Sequence, residues 1–185
     1  MKKTFRILHP YALDKNYFKA IDEEMARLND EEWGVIMDLD TMPLRPEFGF
    51  QLQAYINKYP DTGMFTCYAS RCHYQRQVRK GTQTDNPNIL YHKKFADKTY
   101  HDLTLLIKKL DKRVAGHLMM IKKSTWNQIR DDVKKRTQSK KILGVDTQIT
   151  YALITIGLEI LLMRDIYLFH FLRMDKNYGY TRHLQ

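Results

Sequence analysis

Two aspartates separated by one residue follow a short apolar run in the first quarter of the chain. The stretch from Trp33 to Pro46 reads WGVIMDLDTMPLRP, and Asp38 and Asp40 come directly after the apolar run VIM. In a β-strand, residues i and i+2 point to the same side, so both carboxylates would be presented together where the strand ends. Two like charges this close repel one another unless a positive charge lies between them. The pair therefore indicates either a divalent cation site or a hydrated acidic loop.

The elements around this pair predict an α/β opening of strand, helix and strand. The segment FRILHPYA predicts a strand that Pro10 ends, and WGVIMD predicts a second strand. Between them, DKNYFKAIDEEMARLND predicts an amphipathic helix with Asp14 as its cap. Its apolar face would consist of Tyr17, Ile21, Met25 and Leu28.

The rest of the chain alternates helical and strand patterns. After a break at Pro43 and Pro46, EFGFQLQAYINKYP predicts a helix and TGMFTCYAS a strand, and a basic loop or insertion follows over residues 71–90. Residues 101–112 predict a helix, VAGHLMMIKK a strand, and STWNQIRDDVKK a helix capped by Ser124. DTQITYALITIG predicts a helix capped by Asp146, and LEILLMRDIYLFHFLR predicts a strand pair or one long strand. No linker or repeat is evident, so residues 1–185 are expected to form a single domain.

Composition excludes several classes of protein. The hydrophobic fraction of 43% and the charged fraction of 28% are typical of a globular chain and not of a disordered one. No signal peptide is expected at the start, and the longest apolar run, YALITIGLEILLM, contains Glu159 and is too short to span a bilayer. Cys67 and Cys72 match neither a disulfide framework nor a CxxC spacing. We therefore expect a reduced, cytoplasmic protein, or one held peripherally at a membrane surface.

The net charge of +10 is concentrated in the middle of the chain. Residues 71–141 contain 19 lysines and arginines against 6 aspartates and glutamates, whereas the remainder contains 12 against 15. Such a segment favours an anionic surface or polymer, and nucleic acid is one candidate. The alternative is an ordinary solvated basic face.

An Asp-x-Asp motif after a strand occurs in more than one chemistry. Phosphatases of the haloacid-dehalogenase type have a nucleophilic aspartate in Asp-x-Asp-x-Thr or -Val, and the segment DLDTM resembles that motif. Here, however, Thr41 comes one place early and Met42 occupies the Thr or Val position. The segment RDD at 130–132 could imitate a later acidic motif of that family.

A second resemblance covers most of residues 5 to 173. The order of four segments is similar to that in glycosyltransferases of the GT-A fold, in particular family-2-like members. DKNYFKAIDEEM resembles the helix that precedes the metal-binding strand in these enzymes. WGVIMDLDTMPLRPEF resembles the metal-binding strand itself and the proline turn that follows it. VAGHLMMIKKSTWNQI resembles the strand and helix that line the acceptor side. ILGVDTQITYALITIG resembles the segment in which an acidic residue precedes a helix. The last strand, YLFHFLR, carries His170 where many such enzymes have a third metal ligand.

The resemblance implies a fold, an activity and a site. The fold would be a single-domain GT-A-like mixed sheet flanked by helices, with a reduced N-terminal nucleotide-binding half. Asp38 and Asp40 would hold Mn²⁺ or Mg²⁺ against the diphosphate of a nucleotide-sugar donor, and His170 would be a further metal ligand. Asp146 would be the general base that deprotonates an acceptor in an inverting transfer. The acceptor itself, whether a glycan, a lipid-linked group, a protein or a nucleic acid, is not indicated.

Each of these assignments has a structural alternative. Asp146 precedes a helix and would serve equally as a helix cap, and His170 lies among aromatic residues typical of a core. A non-enzymatic protein that binds nucleic acid through residues 71–141 is the alternative to the enzyme. The feature that separates the two is whether Asp38, Asp40 and His170 converge to within the spacing of metal ligands.

Overall fold

The computed structural model describes residues 4–14, 16–83, 85–138 and 144–171. Within these residues the chain forms seven strands and five α-helices, with a short 3₁₀ turn at Gln75–Gln77. The strands are β1 (Phe5–Leu8), β2 (Trp33–Met37), β3 (Thr41–Pro43), β4 (Met64–Ala69), β5 (Ile107–Leu110), β6 (Leu118–Lys122) and β7 (Ile160–His170). The helices are α1 (Tyr17–Ala26), α2 (Phe48–Lys58), α3 (Ile89–Leu103), α4 (Lys123–Gln138) and α5 (Val145–Thr155).

The strands form a mixed, open sheet flanked by helices, so the predicted α/β class is confirmed. Their order is β1-β2-β6-β4-β7-β3, and β5 also pairs with β7. The β1 strand is parallel to β2, whereas β6 is antiparallel to both β2 and β4. The β4 and β7 strands run in the same direction, because Met64 N–H donates to the Glu159 carbonyl and Ser70 N–H donates to the Leu168 carbonyl. Such a sheet is compatible with a Rossmann-like fold.

The chain divides into two compact units. The first unit comprises Met1–Leu39, Asp61–Thr66 and Lys109–Leu161, and the second comprises Asp40–Pro60, Cys67–Lys108 and Leu162–Gln185. This division neither supports nor contradicts the prediction of a single domain, which stays a prediction.

The first unit is built around β2, all five residues of which are buried. Of the predicted apolar face of α1, three side chains are buried, while Tyr17 is exposed. Asp22 on the same helix accepts hydrogen bonds from Trp126 Nε1 at 3.0 Å and Arg130 Nε at 2.7 Å, which tie α1 to α4. Burial raises the pKa of Asp22, but the hydrogen bonds from Arg130 and Trp126 outweigh it and lower the pKa overall.

Two predicted helix caps are wrong, because other groups satisfy the first backbone N–H groups. The α1 cap is Asn16, whose side chain accepts from Lys19 N–H at 3.1 Å, while Asp14 accepts from the N–H of Asn16 itself. The α4 helix follows β6 without a break, so Ser124 is its second residue and not its cap. The N–H groups of Lys123 and Ser124 donate to loop carbonyls of the first unit instead.

The predicted helix over residues 101–112 is also wrong. Helix α3 ends at Leu103, and residues 107–110 form β5, which pairs with β7. Between them Leu105 has φ +54°, a left-handed conformation that a helix cannot contain. Its N–H donates to the buried Asp165 carboxylate at 3.0 Å. A contact across 60 residues therefore stabilises a turn that local pattern does not indicate.

Residues 41–43, which sequence assigns only to a chain break, form the short strand β3. This strand pairs antiparallel with the end of β7, with Thr41 opposite His170 and Pro43 opposite Leu168. Proline is tolerated in β3 because the strand lies at the end of the strand order. The last apolar segment is one strand of eleven residues, β7, and not a strand pair.

Three further predictions concern the cysteines, the basic loop after β4 and the absence of a membrane-spanning helix. Cys67 and Cys72 are both buried and form no disulfide, as expected of residues outside a disulfide framework. The predicted basic loop over residues 71–90 follows β4 and contains the short 3₁₀ turn at Gln75–Gln77. It ends where α3 begins at Ile89, and residue 84 lies outside the described residues. None of the described helices combines the length and apolar character that a membrane crossing requires.

We expect Gly63→Ala to destabilise the fold. A Cβ at this position would lie 2.7 Å from Leu158 Cβ and 3.0 Å from the Glu159 carbonyl oxygen, just where β4 and β7 begin together. Neither atom is the end of a flexible side chain, so the backbone must shift, and such overpacking typically costs about 1–3 kcal/mol. Urea unfolding monitored by circular dichroism measures this change, and a free energy of unfolding equal to the wild type would contradict the packing.

Candidate metal centre

The two aspartates lie in the turn that joins β2 to β3. Asp38 directly follows the last residue of β2, and its N–H donates to the His117 carbonyl at 3.4 Å. Asp40 directly precedes Thr41, the first residue of β3. The Asp38 side chain is exposed and that of Asp40 is half-buried, so both carboxylates have access to solvent. The predicted placement of the pair at the end of a strand is therefore confirmed.

His170 reaches this turn through the pairing of β3 with β7. It is the last residue of β7 and stands opposite Thr41 in the ladder. One residue further, Phe171 N–H donates to the Asp40 carbonyl at 2.7 Å. The ladder thus holds the backbone of Asp40 beside that of His170, although 130 residues separate them in sequence.

The side chains of Asp38, Asp40 and His170 converge. Each offers one ligand atom, and these atoms all lie within 4.8 Å of one another. His170 Nε2 and Asp40 Oδ1 are 3.2 Å apart. His170 is buried, so its ring has a fixed environment on the side away from the carboxylates.

The donor set fits a divalent cation that accepts both oxygen and nitrogen. Adjacent ligands of an octahedral ion with bonds of about 2.1 Å lie about 3 Å apart, which is close to the Asp40 to His170 separation. Carboxylates suit Mg²⁺, Ca²⁺ and Mn²⁺, whereas an imidazole suits transition metals, so the mixture suits Mn²⁺ better than Mg²⁺. The imidazole would have to bind in its neutral form.

Asp146, the predicted general base, is not among the three converging residues. Its carboxylate accepts hydrogen bonds from Thr147 N–H at 2.7 Å and from the backbone of Gly116. The carbonyl of the next residue, His117, accepts from Asp38 N–H. The two-residue segment Gly116 and His117 therefore connects the Asp146 carboxylate to the backbone of Asp38.

Burial raises the pKa of Asp146 above its ordinary value. Hydrogen bonds from Thr147 and Gly116, and the charge of Arg113, oppose this effect without cancelling it. A carboxylate whose pKa is raised toward neutrality is better matched to accept a proton than an exposed one.

Asp146 is not the cap of its helix. The residue in the cap position of α5 is Gly144, with φ +114°, and Asp146 is the second residue of the first turn. Gly157 follows the helix with φ +79° and donates to the Ile154 carbonyl, as predicted for a glycine that ends a helix.

Gly116 and Ser70 belong to the site's surroundings but were not singled out from sequence. A Cβ on Gly116 would lie 3.2 Å from Asp146 Cβ, so a glycine allows the close approach. The Ser70 hydroxyl accepts from His170 N–H at 2.8 Å. Gly116 falls within the segment VAGHLMM that was matched to the acceptor side, but nothing in the local pattern around Ser70 indicates its contact.

The basic segment is distributed over both units. Within the part of the chain that the structure describes, several of its cations pair with carboxylates, and Lys140 and Lys141 lie outside the described residues. The pairs are Arg79 with Asp102, Lys93 with Asp97, Lys109 with Glu159, Lys122 with Glu31, Arg130 with Asp22, and Arg136 with Asp132. These pairs reduce the charge available to an anionic partner, and binding of such a partner stays a prediction.

Comparison with known proteins places the chain in no family. No protein-family model matches the chain, and no curated protein or solved structure is significantly similar to it.

We expect the protein to bind Mn²⁺ and to lose it in Asp40→Ala and in His170→Ala. Changing a hydrogen-bonding partner of a ligand typically costs about 10- to 100-fold in metal affinity, so removal of a ligand should cost at least as much. Electron paramagnetic resonance of free Mn²⁺ gives the affinity directly. Asp61→Ala is the matched control, because Asp61 is an exposed aspartate outside the cluster. Equal affinity in all three variants would contradict the site.

Proposed function

We propose that the protein is a metal-dependent glycosyltransferase of the GT-A type. It transfers a sugar from a nucleotide-sugar donor to an acceptor hydroxyl with inversion at the anomeric carbon. Asp38, Asp40 and His170 hold Mn²⁺ or Mg²⁺, and Asp146 is the general base.

The observation that carries the proposal is the convergence of Asp38, Asp40 and His170. The pairing of β3 with β7 places Asp40 beside His170, and Asp38 joins them, so three groups able to bind a metal lie within 4.8 Å of one another. The resemblance to GT-A enzymes implied these same three residues as ligands from their positions in the sequence. The architecture supports the same assignment, since in α/β sheets ligands bind outside the carboxyl ends of strands, and here Asp38 follows β2 and His170 ends β7.

The chemistry assigns one task to each part of the site. A bound divalent cation supplies positive charge that stabilises the nucleoside diphosphate as it leaves. The acceptor oxygen forms a bond to the anomeric carbon while the bond from that carbon to the diphosphate oxygen breaks. The acceptor proton passes to the Asp146 carboxylate, whose raised pKa suits it to this transfer. Asp38 and Asp40 would hold the cation beside the diphosphate, so that the positive charge of the cation lies next to the leaving group.

The two rival functions have less support. If the protein were a phosphatase, Asp131 and Asp132 would provide a later acidic motif, but they lie inside helix α4, and Asp132 pairs with Arg136. If it only bound nucleic acid, the basic segment would be the binding surface, but several of its described cations pair with carboxylates.

We expect Asp146→Asn to nearly abolish transfer while Mn²⁺ binding persists. The amide has a single acceptor oxygen, which can still accept from Thr147 N–H, but the amide cannot take a proton, and general-base help is typically worth about 10²- to 10⁴-fold. Release of nucleoside diphosphate from a panel of nucleotide sugars, with Mn²⁺ present and candidate acceptors added, measures turnover. A folded variant with near-normal turnover would refute the role of Asp146.

The pKa of Asp146 supplies an independent check on that role. Activity of the wild type should fall as the pH drops through the raised pKa, which lies above the ordinary value of about 3.9 for an aspartate. Folding favours the protonated carboxyl, so the stability contributed by that form is present at acid pH and is lost as the pH rises through the folded pKa. At pH 7 the free energy of unfolding of Asp146→Asn should therefore equal or exceed that of the wild type. A less stable Asn variant would indicate a structural role.

We expect Gly116→Ala to reduce kcat with little change in Mn²⁺ affinity. The added methyl group would lie 3.2 Å from Asp146 Cβ, closer than ordinary van der Waals contact, so the carboxylate must move by a few tenths of an ångström. A displacement of a catalytic group on this scale lowers the rate because proton transfer depends on position. Steady-state kinetics with Mn²⁺ titration separates the two effects, and loss of Mn²⁺ affinity with kcat retained would contradict the assignment.

A further inference from the structure

A buried histidine in the second unit contacts the end of β7, just before His170. His92, on α3, is 0% exposed, and both of its ring nitrogens have partners. Nδ1 lies 2.7 Å from the Tyr167 hydroxyl, and Nε2 lies 2.7 Å from the Asn86 carbonyl oxygen. The imidazole thus joins the loop before α3 to β7.

The partners of His92 define its tautomer. The Asn86 carbonyl can only accept, so Nε2 must carry the hydrogen and donate it. In the neutral ring Nδ1 then accepts, and the Tyr167 hydroxyl is the donor. Burial lowers the pKa of His92, and the nearby Arg71 charge acts in the same direction, which keeps the ring neutral despite the opposing hydrogen bond to Asn86.

The same ring also packs against the residue that precedes His170. The His92 and Phe169 ring centroids are 4.9 Å apart, and the His92 and Tyr167 rings stack at 5.8 Å. Successive side chains of a strand point to opposite faces, so Tyr167 and Phe169 share one face of β7 and His170 points to the other. His92 therefore contacts the face of β7 opposite to the one from which the His170 side chain projects.

A residue that directly follows β4, the strand next to β7, also holds the backbone of His170. Its N–H donates to the Ser70 hydroxyl at 2.8 Å, and Ser70 N–H donates to the Leu168 carbonyl at 3.0 Å. Ser70 and His170 are both buried. Rotation of the end of β7 about its own axis would change the direction of the His170 imidazole, and the contacts made by His92 and by Ser70 oppose that rotation.

We propose that His92 is a positioning residue of the metal site: through the Tyr167 hydroxyl and the Phe169 ring it fixes the end of β7, and thereby directs the His170 imidazole toward Asp40. This inference rests on the proposed function for its consequence, which is metal affinity. The orientation of the His170 side chain, by contrast, can be tested without any metal. His92 touches neither the metal ligands nor a substrate, so its effect passes entirely through β7.

The test compares two variants that each remove one buried tyrosine hydroxyl of the second unit and keep the ring. Tyr167→Phe removes the donor to His92 and also the contact of that hydroxyl with Ser70, so His92→Gln, which leaves the Ser70 contact in place, is measured beside it. Tyr55→Phe is the control, because its hydroxyl contacts Asp165 and the Leu106 carbonyl instead. Two quantities are measured on the full chain: the ¹³C–¹H resonance of the His170 ring without metal, assigned by its loss in His170→Gln, and the affinity for Mn²⁺. Thermal unfolding establishes that both variants fold.

We expect Tyr167→Phe to shift the His170 resonance and to weaken Mn²⁺ binding by about 10-fold, the lower end of what a partner of a ligand contributes. Tyr55→Phe should change neither. An unchanged His170 resonance in folded Tyr167→Phe, or an equal shift in Tyr55→Phe, would overturn the proposal. If the wild type binds no Mn²⁺, the proposed function fails, while the resonance of His170 still decides whether His92 positions it. If Tyr167→Phe does not fold, His92→Gln decides alone under the same criteria, since its amide can still donate to Asn86 but lacks the ring against Phe169.

Discussion

The antiparallel pairing of β3 with β7 is the interaction on which the candidate site depends. Three residues, Thr41 to Pro43, pair with the end of an eleven-residue buried strand, and this places Asp40 beside His170. Without that ladder the Asp-x-Asp turn would be an acidic loop, and His170 would be an ordinary buried histidine. A short strand contributes few hydrogen bonds of its own, so its position is set by the longer strand that it joins and by the contacts that hold that strand.

The second unit also contains buried polar contacts that fix the bounds of other elements. Asp165 accepts from the Tyr55 hydroxyl at 2.5 Å and from Leu105 N–H at 3.0 Å, which fixes where α3 ends and β5 begins. Burial raises the pKa of Asp165 even though these hydrogen bonds oppose it. His92 contacts the same strand closer to its end, at Tyr167 and Phe169. A polar group inside a core is tolerated only where its partners are present, so each such group specifies one arrangement of the elements around it.

In the first unit, one short segment contacts both Asp146 and Asp38. The segment Gly116 and His117 touches Asp146 with one residue and Asp38 with the next. This arrangement gives the proposed base and the proposed metal ligand a common support, and it explains why a glycine stands at position 116. The proposal of a glycosyltransferase therefore draws on residues from four separate segments of the chain, and no single motif among them would suffice.

Sequence alone determined the elements whose pattern is local. The buried strand before Asp38, the amphipathic face of α1 and the glycine after α5 follow from periodicity and backbone preference, and the resemblance to GT-A enzymes singled out Asp38, Asp40, Asp146 and His170. Only the tertiary structure decided what depends on distant partners. Strand β3 exists because β7 offers it a ladder, the turn at Leu105 exists because Asp165 accepts its N–H, and α4 begins without a side-chain cap because loop carbonyls take its first N–H groups. A hydrogen bond between residues far apart in sequence produces no periodic pattern in the sequence. For that reason the sequence could raise the expectation that His170 meets the two aspartates, but only the pairing of β3 with β7 brings Asp40 and His170 together.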